Sequence, residues 1–437
     1  MSRANYSISI TVINFLLALL PGYLSVSSYI FLSLCLITKY KWAPVIFLNL
    51  CFLVLGNEDL FTGLSSFGNL KYLIIFIFII QSIFYFPRSF INNNHFVYLV
   101  LLFFVIFTHS LFFSFFPLYS IIKIGFWFSF VMCFLIFFYK FNVDDKIKIF
   151  SSSYFVLLLV VIFSLILNFF PSIGYSLNGE GLQGITNQPQ VFGAISGLFS
   201  LASLILFFKK NKYLLLFCFL MGVFGVYLSQ SRTAFLALCI SLFFLLIQVF
   251  WDKISLSKIK VFSKNSLKIS ISFLFIFPFF ILFNFEYFID FLNKRGEGGV
   301  TSVGESSRSF FIGRMLNNID TYGLTGIGLG IPSDFNFSDM SYLPFIDLPI
   351  SLPVEKGVFY IANIEELGFL FGGLVFLILF IMFKKRFIVN IYASIIVFIF
   401  STNLAENTFF SVGGLGMLFW VFACMAMVYL RRESLIK

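Results

Sequence analysis

The chain has 437 residues, of which 60% are hydrophobic and 11% charged. Soluble domains carry roughly 25% charged residues, so the composition excludes a water-facing globule. The net charge of +10 would fit a nucleic-acid binder, but Lys and Arg gather in short loops between apolar runs, which is the positive-inside pattern of a membrane protein. The 70 Phe residues are read as compositional bias and lipid-facing bulk.

Apolar runs occur at about 8–20, 23–38, 42–56, 72–86, 96–116, 119–138, 153–170, 190–208, 213–229, 233–251, 269–285, 366–383, 387–402 and 409–430. Most match the roughly 20 residues that cross about 30 Å of hydrocarbon at 1.5 Å per residue. A membrane barrel would instead show ten-residue segments of alternating polarity. Backbone groups in lipid must be satisfied within their own segment, so the runs are helices. The expected fold is all-α, a single polytopic membrane domain over 1–437 with about 12–14 transmembrane helices. The first two runs flank Pro21-Gly22 and count as one bent helix or two. The N-terminal apolar stretch ends at Tyr40-Lys41 without a small-residue cleavage pattern, so it is expected to stay in the membrane. Cys35, Cys51, Cys133, Cys218, Cys239 and Cys424 lie inside apolar runs without CxxC spacing. Buried hydrophobes are expected there, not disulfides or metal ligands.

Placing both termini in the cytoplasm puts twenty-one of the 29 cations on the cytoplasmic side and fifteen of the 19 acids outside. The inverted arrangement would reverse that bias, so the orientation follows from charge. Two outer connections are long: a smaller loop at 171–189 and a large one at 286–365, expected to contain short helices. No P-loop and no large cytoplasmic region accompany them, so this chain alone does not draw on cytoplasmic ATP.

Eight cations remain outside: Lys71, Lys123, Arg232, Lys294, Arg295, Arg308, Arg314 and Lys356. Arg232 lies in Ser229-Gln230-Ser231-Arg232-Thr233, a tight turn between two apolar helices. Such an Arg either snorkels to the interface and caps carbonyls, or offers its bidentate fork to phosphate; the residues alone leave both open. Arg308 and Arg314 flank a candidate surface helix capped by Ser306 or Ser307, with Phe311, Met315 and Ile319 as its apolar stripe and Ile312 and Leu316 beside it. At six residues' separation they are about 120° apart around a helix, so they share a ligand only along a groove; solvated cations are an equal reading. Gly323-Leu324-Thr325-Gly326-Ile327-Gly328-Leu329-Gly330 lacks the spacing and surroundings of a dinucleotide fingerprint and reads as close packing or a tight turn. Outer acids available as a general base include Glu180, Glu297, Glu305, Asp320, Glu365, Glu366 and Glu406. Glu365 and Glu366 stand at the expected mouth of a helix. His95 falls on the cytoplasmic side and His109 inside a helix, so no histidine is expected in an outward site. Lys123 and His109 are the exceptional ionisable residues within helices, and their scarcity disfavours a transporter.

Ser229-Gln230-Ser231-Arg232-Thr233-Ala234, Ser307-Arg308, Gly326-Ile327-Gly328-Leu329-Gly330, and Glu366-Leu367-Gly368 with Gly372-Gly373 follow Asn187-Gln188-Pro189 in order. This ordered set, over roughly 187–380, resembles the family of O-antigen polymerases and O-antigen ligases. The resemblance implies a multi-pass protein of the bacterial inner membrane with a periplasmic active face. It implies an enzyme without cofactor or metal, a membrane glycosyltransferase whose donor and acceptor are oligosaccharides linked to undecaprenyl pyrophosphate. Arg232, Arg308 and Arg314 would then contact pyrophosphate, and Glu365, Glu366 or Glu305 would be the catalytic base. Membrane lipid and a chain-length regulator protein are the implied partners, and nucleic acid is not. Ligases of the family carry a His some ten residues before the acid-Leu-Gly element. Here Val354-Glu355-Lys356-Gly357-Val358-Phe359-Tyr360 has none, which favours a polymerase. The alternatives are a ligase acting on lipid A–core and a flippase of the same lipid-linked oligosaccharide.

Overall fold

The structure is a computed structural model that describes residues 3–64, 67–87, 90, 94–177, 179–255, 309–334, 341–343, 348–351, 356–384 and 391–433. Each apolar run within those residues forms a helix; the run at 269–285 lies outside them. The helices are α1 (Arg3–Ala18), α2 (Val26–Thr38), α3 (Ala43–Val54), α4 (Leu70–Phe84), α5 (Asn94–Phe112), α6 (Pro117–Lys140), α7 (Val143–Ile166), the short α8 (Pro171–Gly174), α9 (Pro189–Lys210), α10 (Tyr213–Leu228) and α11 (Arg232–Ser255). After these come α12 (Ser309–Tyr322), β1 (Ser341–Leu343), β2 (Leu348–Ser351), α13 (Phe359–Lys384), α14 (Ala393–Thr402) and α15 (Gly414–Glu433). Six helices among the described residues are long and apolar enough to span a membrane, and seven more are shorter and apolar. The chain is therefore a polytopic helical membrane protein.

Local chemistry sets the helix ends. Pro117 and Pro189 open α6 and α9 at positions where a missing N–H costs nothing. Asn211 closes α9 in the left-handed region at φ 51°. At Pro21-Gly22 the chain does not bend one helix: α1 ends, a short 3-10 turn follows, and α2 packs back against α1.

The central element is α9, whose apolar span is buried throughout. It packs against α7, α10 and α11. Small residues let α10 approach it: a Cβ on Gly222 would lie 2.8 Å from Ser200 Cβ, and one on Gly225 would lie 2.7 Å from Ser196 Oγ. Membrane helices associate through such van der Waals contact, because lipid tails remove the hydrophobic drive between them. The peripheral helices turn Phe84, Phe112, Leu214 and Phe243 outward, an apolar rim that only a hydrocarbon surrounding tolerates on this scale.

The loops sort onto two faces as the charge reading requires. On one face Asn57 N–H donates to Ile185 C=O at 2.9 Å, Leu182 N–H to Leu228 C=O at 2.9 Å, Phe115 N–H to Ile327 C=O at 3.0 Å, and Phe359 N–H to Asn403 C=O at 3.1 Å. On the other, the Lys140 ammonium sits 3.7 Å from the Tyr85 ring centroid and that of Lys209 4.2 Å from Tyr392. The large loop contributes α12, the expected surface helix, in which Met315 is buried while Leu316 is 47% exposed. It also contributes an antiparallel hairpin of β1 and β2 that lies against α6, an element the periodicity did not announce.

Candidate functional site

The site grows from one break in a helix. Gly368 has φ 70° and ψ 172°, so α13 is two helical segments joined at a kink. A break leaves terminal carbonyls and N–H groups without intrahelical partners. The glycine-alternating strap 323–330 supplies them: Ile327 N–H donates to Glu365 C=O at 3.0 Å and Gly328 N–H to Glu366 C=O at 2.8 Å. In return Phe369 N–H donates to Gly323 C=O at 2.7 Å. The approach requires glycine, since a Cβ on Gly326 would lie 2.5 Å from Glu366 O and from Gly368 N. Asn363 spans the kink, its Nδ2 donating to Gly372 C=O at 3.2 Å. Glu365 and Glu366 thus end the first segment of α13 and stand just ahead of the second.

The far side of the strap docks on the α5–α6 hairpin. Ser120 Oγ donates to Leu329 C=O at 2.9 Å, and Ser114 and Ser120 share a hydrogen bond of 2.9 Å. His109 Nε2 bonds Thr325 C=O, so this ring nitrogen carries the proton. The expectation that no histidine reaches the outward site is corrected here: His109 lies within α5 but ties down the strap beside the carboxylates. Lys123 packs its side chain against Gly330, where a Cβ would strike the ammonium.

Below the strap, four elements converge on a buried charge cluster. Lys356 Nζ lies 2.8 Å from Glu365 Oε2 and 3.3 Å from Glu366 Oε1, and the three side chains are 1%, 0% and 5% exposed. The contacts are ion pairs by distance, off the hydrogen-bond direction. From α12, Asn318 Nδ2 donates to Glu365 Oε1 at 2.7 Å and to Ser333 C=O at 3.0 Å. Lys123 of α6 comes near enough for the Glu366 charge to act on it. Two acids and two lysines balance, which limits the desolvation cost of burying them. Ionisable groups in a membrane domain are costly and concentrate at functional positions. Of the two acids, Glu365 is held on both oxygens, while Glu366 has fewer fixed partners.

Arg232 occupies a second corner of the same face. It is the first residue of α11 and is half-buried. Ser231 caps that helix, its Oγ accepting from Ala234 N–H at 3.4 Å, while Ser231 N–H donates to Ser229 Oγ at 3.2 Å. Gln230 takes the left-handed conformation at φ 55° that closes the turn. The loop before α9 is drawn against it: a Cβ on Gly181 would lie 2.7 Å from Ser229 O, and one on Gly193 2.5 Å from Ser231 Cβ. Asn187 precedes α9 with its N–H bonded to Leu55 C=O at 2.7 Å and its Oδ1 buried without a hydrogen bond. Arg314 lies on α12 in an exposed ion pair of 2.6 Å with Asp334. Glu305 and Arg308 lie outside the described residues.

Lys356 and Lys123 stood in the sequence only as outer cations without an assigned role, and Asn318 did not stand out at all. Lys123 carried a signal, as a cation inside an apolar run. Lys356 and Asn318 carried none, because their burial depends on chain segments that meet only in the fold. No family model, curated protein or solved structure matches the chain.

Proposed function

We propose that the chain is a surface-polysaccharide polymerase. It transfers a growing glycan from undecaprenyl pyrophosphate to the non-reducing end of a new lipid-linked repeat unit, at the periplasmic face of the bacterial inner membrane. The observation that carries this reading is the buried Glu365–Glu366–Lys356 cluster, set on the loop face of a membrane bundle and roofed by the glycine strap. The acceptor hydroxyl oxygen attacks the donor's anomeric carbon. The bond from that carbon to the phosphate oxygen breaks, and its electron pair leaves with undecaprenyl pyrophosphate. Glu366 takes the hydroxyl proton, a role for a positioned carboxylate. Glu365, fixed by Lys356 and Asn318, orients its neighbour. Arg232, with Arg308 and Arg314 as further candidates, supplies positive charge for the departing pyrophosphate. The grooves between helices hold the polyprenyl tail.

Lys356 also bears on the choice between polymerase and ligase. The stretch where ligases carry a histidine holds this lysine, locked between two carboxylates. A strain lacking the chain tests the reading directly. Loss of a polymerase leaves lipopolysaccharide capped with one repeat unit. Loss of a ligase leaves bare core and polymer on the carrier lipid, and loss of a flippase leaves bare core without periplasmic polymer. Complementation with Arg232→Ala is expected to restore protein but not the ladder; a normal ladder removes Arg232 from the mechanism.

A further inference from the structure

Lys123 is anomalous in its surroundings. It lies six residues into α6 from Pro117, about 9 Å along the helix at 1.5 Å per residue, inside a span of the membrane domain. A cation there costs on the order of 2.5–3.5 kcal/mol at a helix centre and less toward the end, and such cations are ordinarily paired. Lys356, a few residues away in space through Glu366, is paired with two carboxylates. Lys123 has no ion pair or hydrogen bond among the described residues. Its ammonium lies 5.9 Å from the centroid of the Tyr119 ring, and the residue as a whole is partly exposed. Room for its side chain is made by Gly330, where any Cβ would collide with it. The strap therefore holds an ammonium near Glu366, about 9 Å along α6 from its first residue, with no direct ion-pair partner among the described residues.

We propose that Lys123 binds the phosphate of the diphosphate-linked lipid substrate, fixing the scissile end of the donor beside Glu366. The proposal rests on the polymerase reading and adds to it a cation on α6 that the arginines of the loops do not supply. An ammonium suits this position, since a compact point charge on a flexible stem can follow a phosphate.

The test uses the full-length protein in nanodiscs, with a fluorescent polyprenyl diphosphate and the polyprenyl alcohol of equal chain length as probes. Lys123→Met keeps the packing against Gly330 and removes the charge. It is expected to weaken diphosphate binding about ten- to a hundredfold and leave alcohol binding unchanged, while Lys123→Arg retains most of the affinity. Wild-type-like diphosphate binding by Lys123→Met overturns the proposal. Should Lys123→Met not fold, the wild-type protein decides: diphosphate is expected to protect Lys123 from an amine-reactive reagent, and unprotected labelling overturns the proposal. The deletion strain's ladder judges the polymerase reading separately, so Lys123 can fail while that reading stands.

Discussion

Glu365 and Glu366 are adjacent in sequence yet differ in what holds them, and that difference predicts different variants. Glu366→Gln keeps shape and removes the proton acceptor, so the ladder is expected to vanish while membrane yield stays above that of a Lys356→Met variant, because Glu365 still pairs the lysine. Lys356→Met leaves two buried carboxylates facing each other, and losing one partner of a buried pair costs about 3–5 kcal/mol. Its melting temperature should fall by several degrees or its membrane yield collapse; wild-type stability would show that the cluster is not an ion pair in the folded protein. Glu365→Gln is expected to lie between the two, destabilised through Lys356 and active at a reduced rate. The acids were legible in the sequence as outer carboxylates beside an acid-Leu-Gly element. Their lysine was not, since Lys356 precedes them by nine and ten positions, a separation with no helical or strand meaning.

At the scale of elements, positive φ and close contact coincide at Gly326 and Gly368, with φ 73° and 70°. Alanine at either position incurs the left-handed cost of roughly 1–2 kcal/mol and a collision with backbone across the interface. Gly326→Ala and Gly368→Ala are therefore expected to release the strap from α13. Hydrogen exchange at the amides of Ile327 and Gly328 should accelerate strongly in both; unchanged protection would refute the docking. The apolar runs announced nearly every described helix, because length and hydropathy suffice where the solvent is lipid. The kink in α13 escaped notice for the same reason: hydropathy continues through Gly368 although the hydrogen-bond ladder does not. Alternating glycines pointed correctly to close packing, without saying against what.

For the whole molecule, charge counting and loop contacts agree on two faces, and labelling can assign them. Asp334→Cys is expected to react with a membrane-impermeant maleimide in intact spheroplasts, and Lys41→Cys only after permeabilisation. Five of the six native cysteines are buried and Cys239 is partly so, which keeps the background low. The reverse pattern would invert the topology. The strap and the broken helix also bear on engineering. Residues 323–330 complete the backbone bonding of residues 365–369, so neither stretch carries its own structural instructions. Chimaeras that graft the outer loop between proteins of this architecture, to alter which sugars are joined, should work only when both stretches travel together as a cassette; exchanging either alone would leave the recipient with a helix whose missing half belongs to another protein.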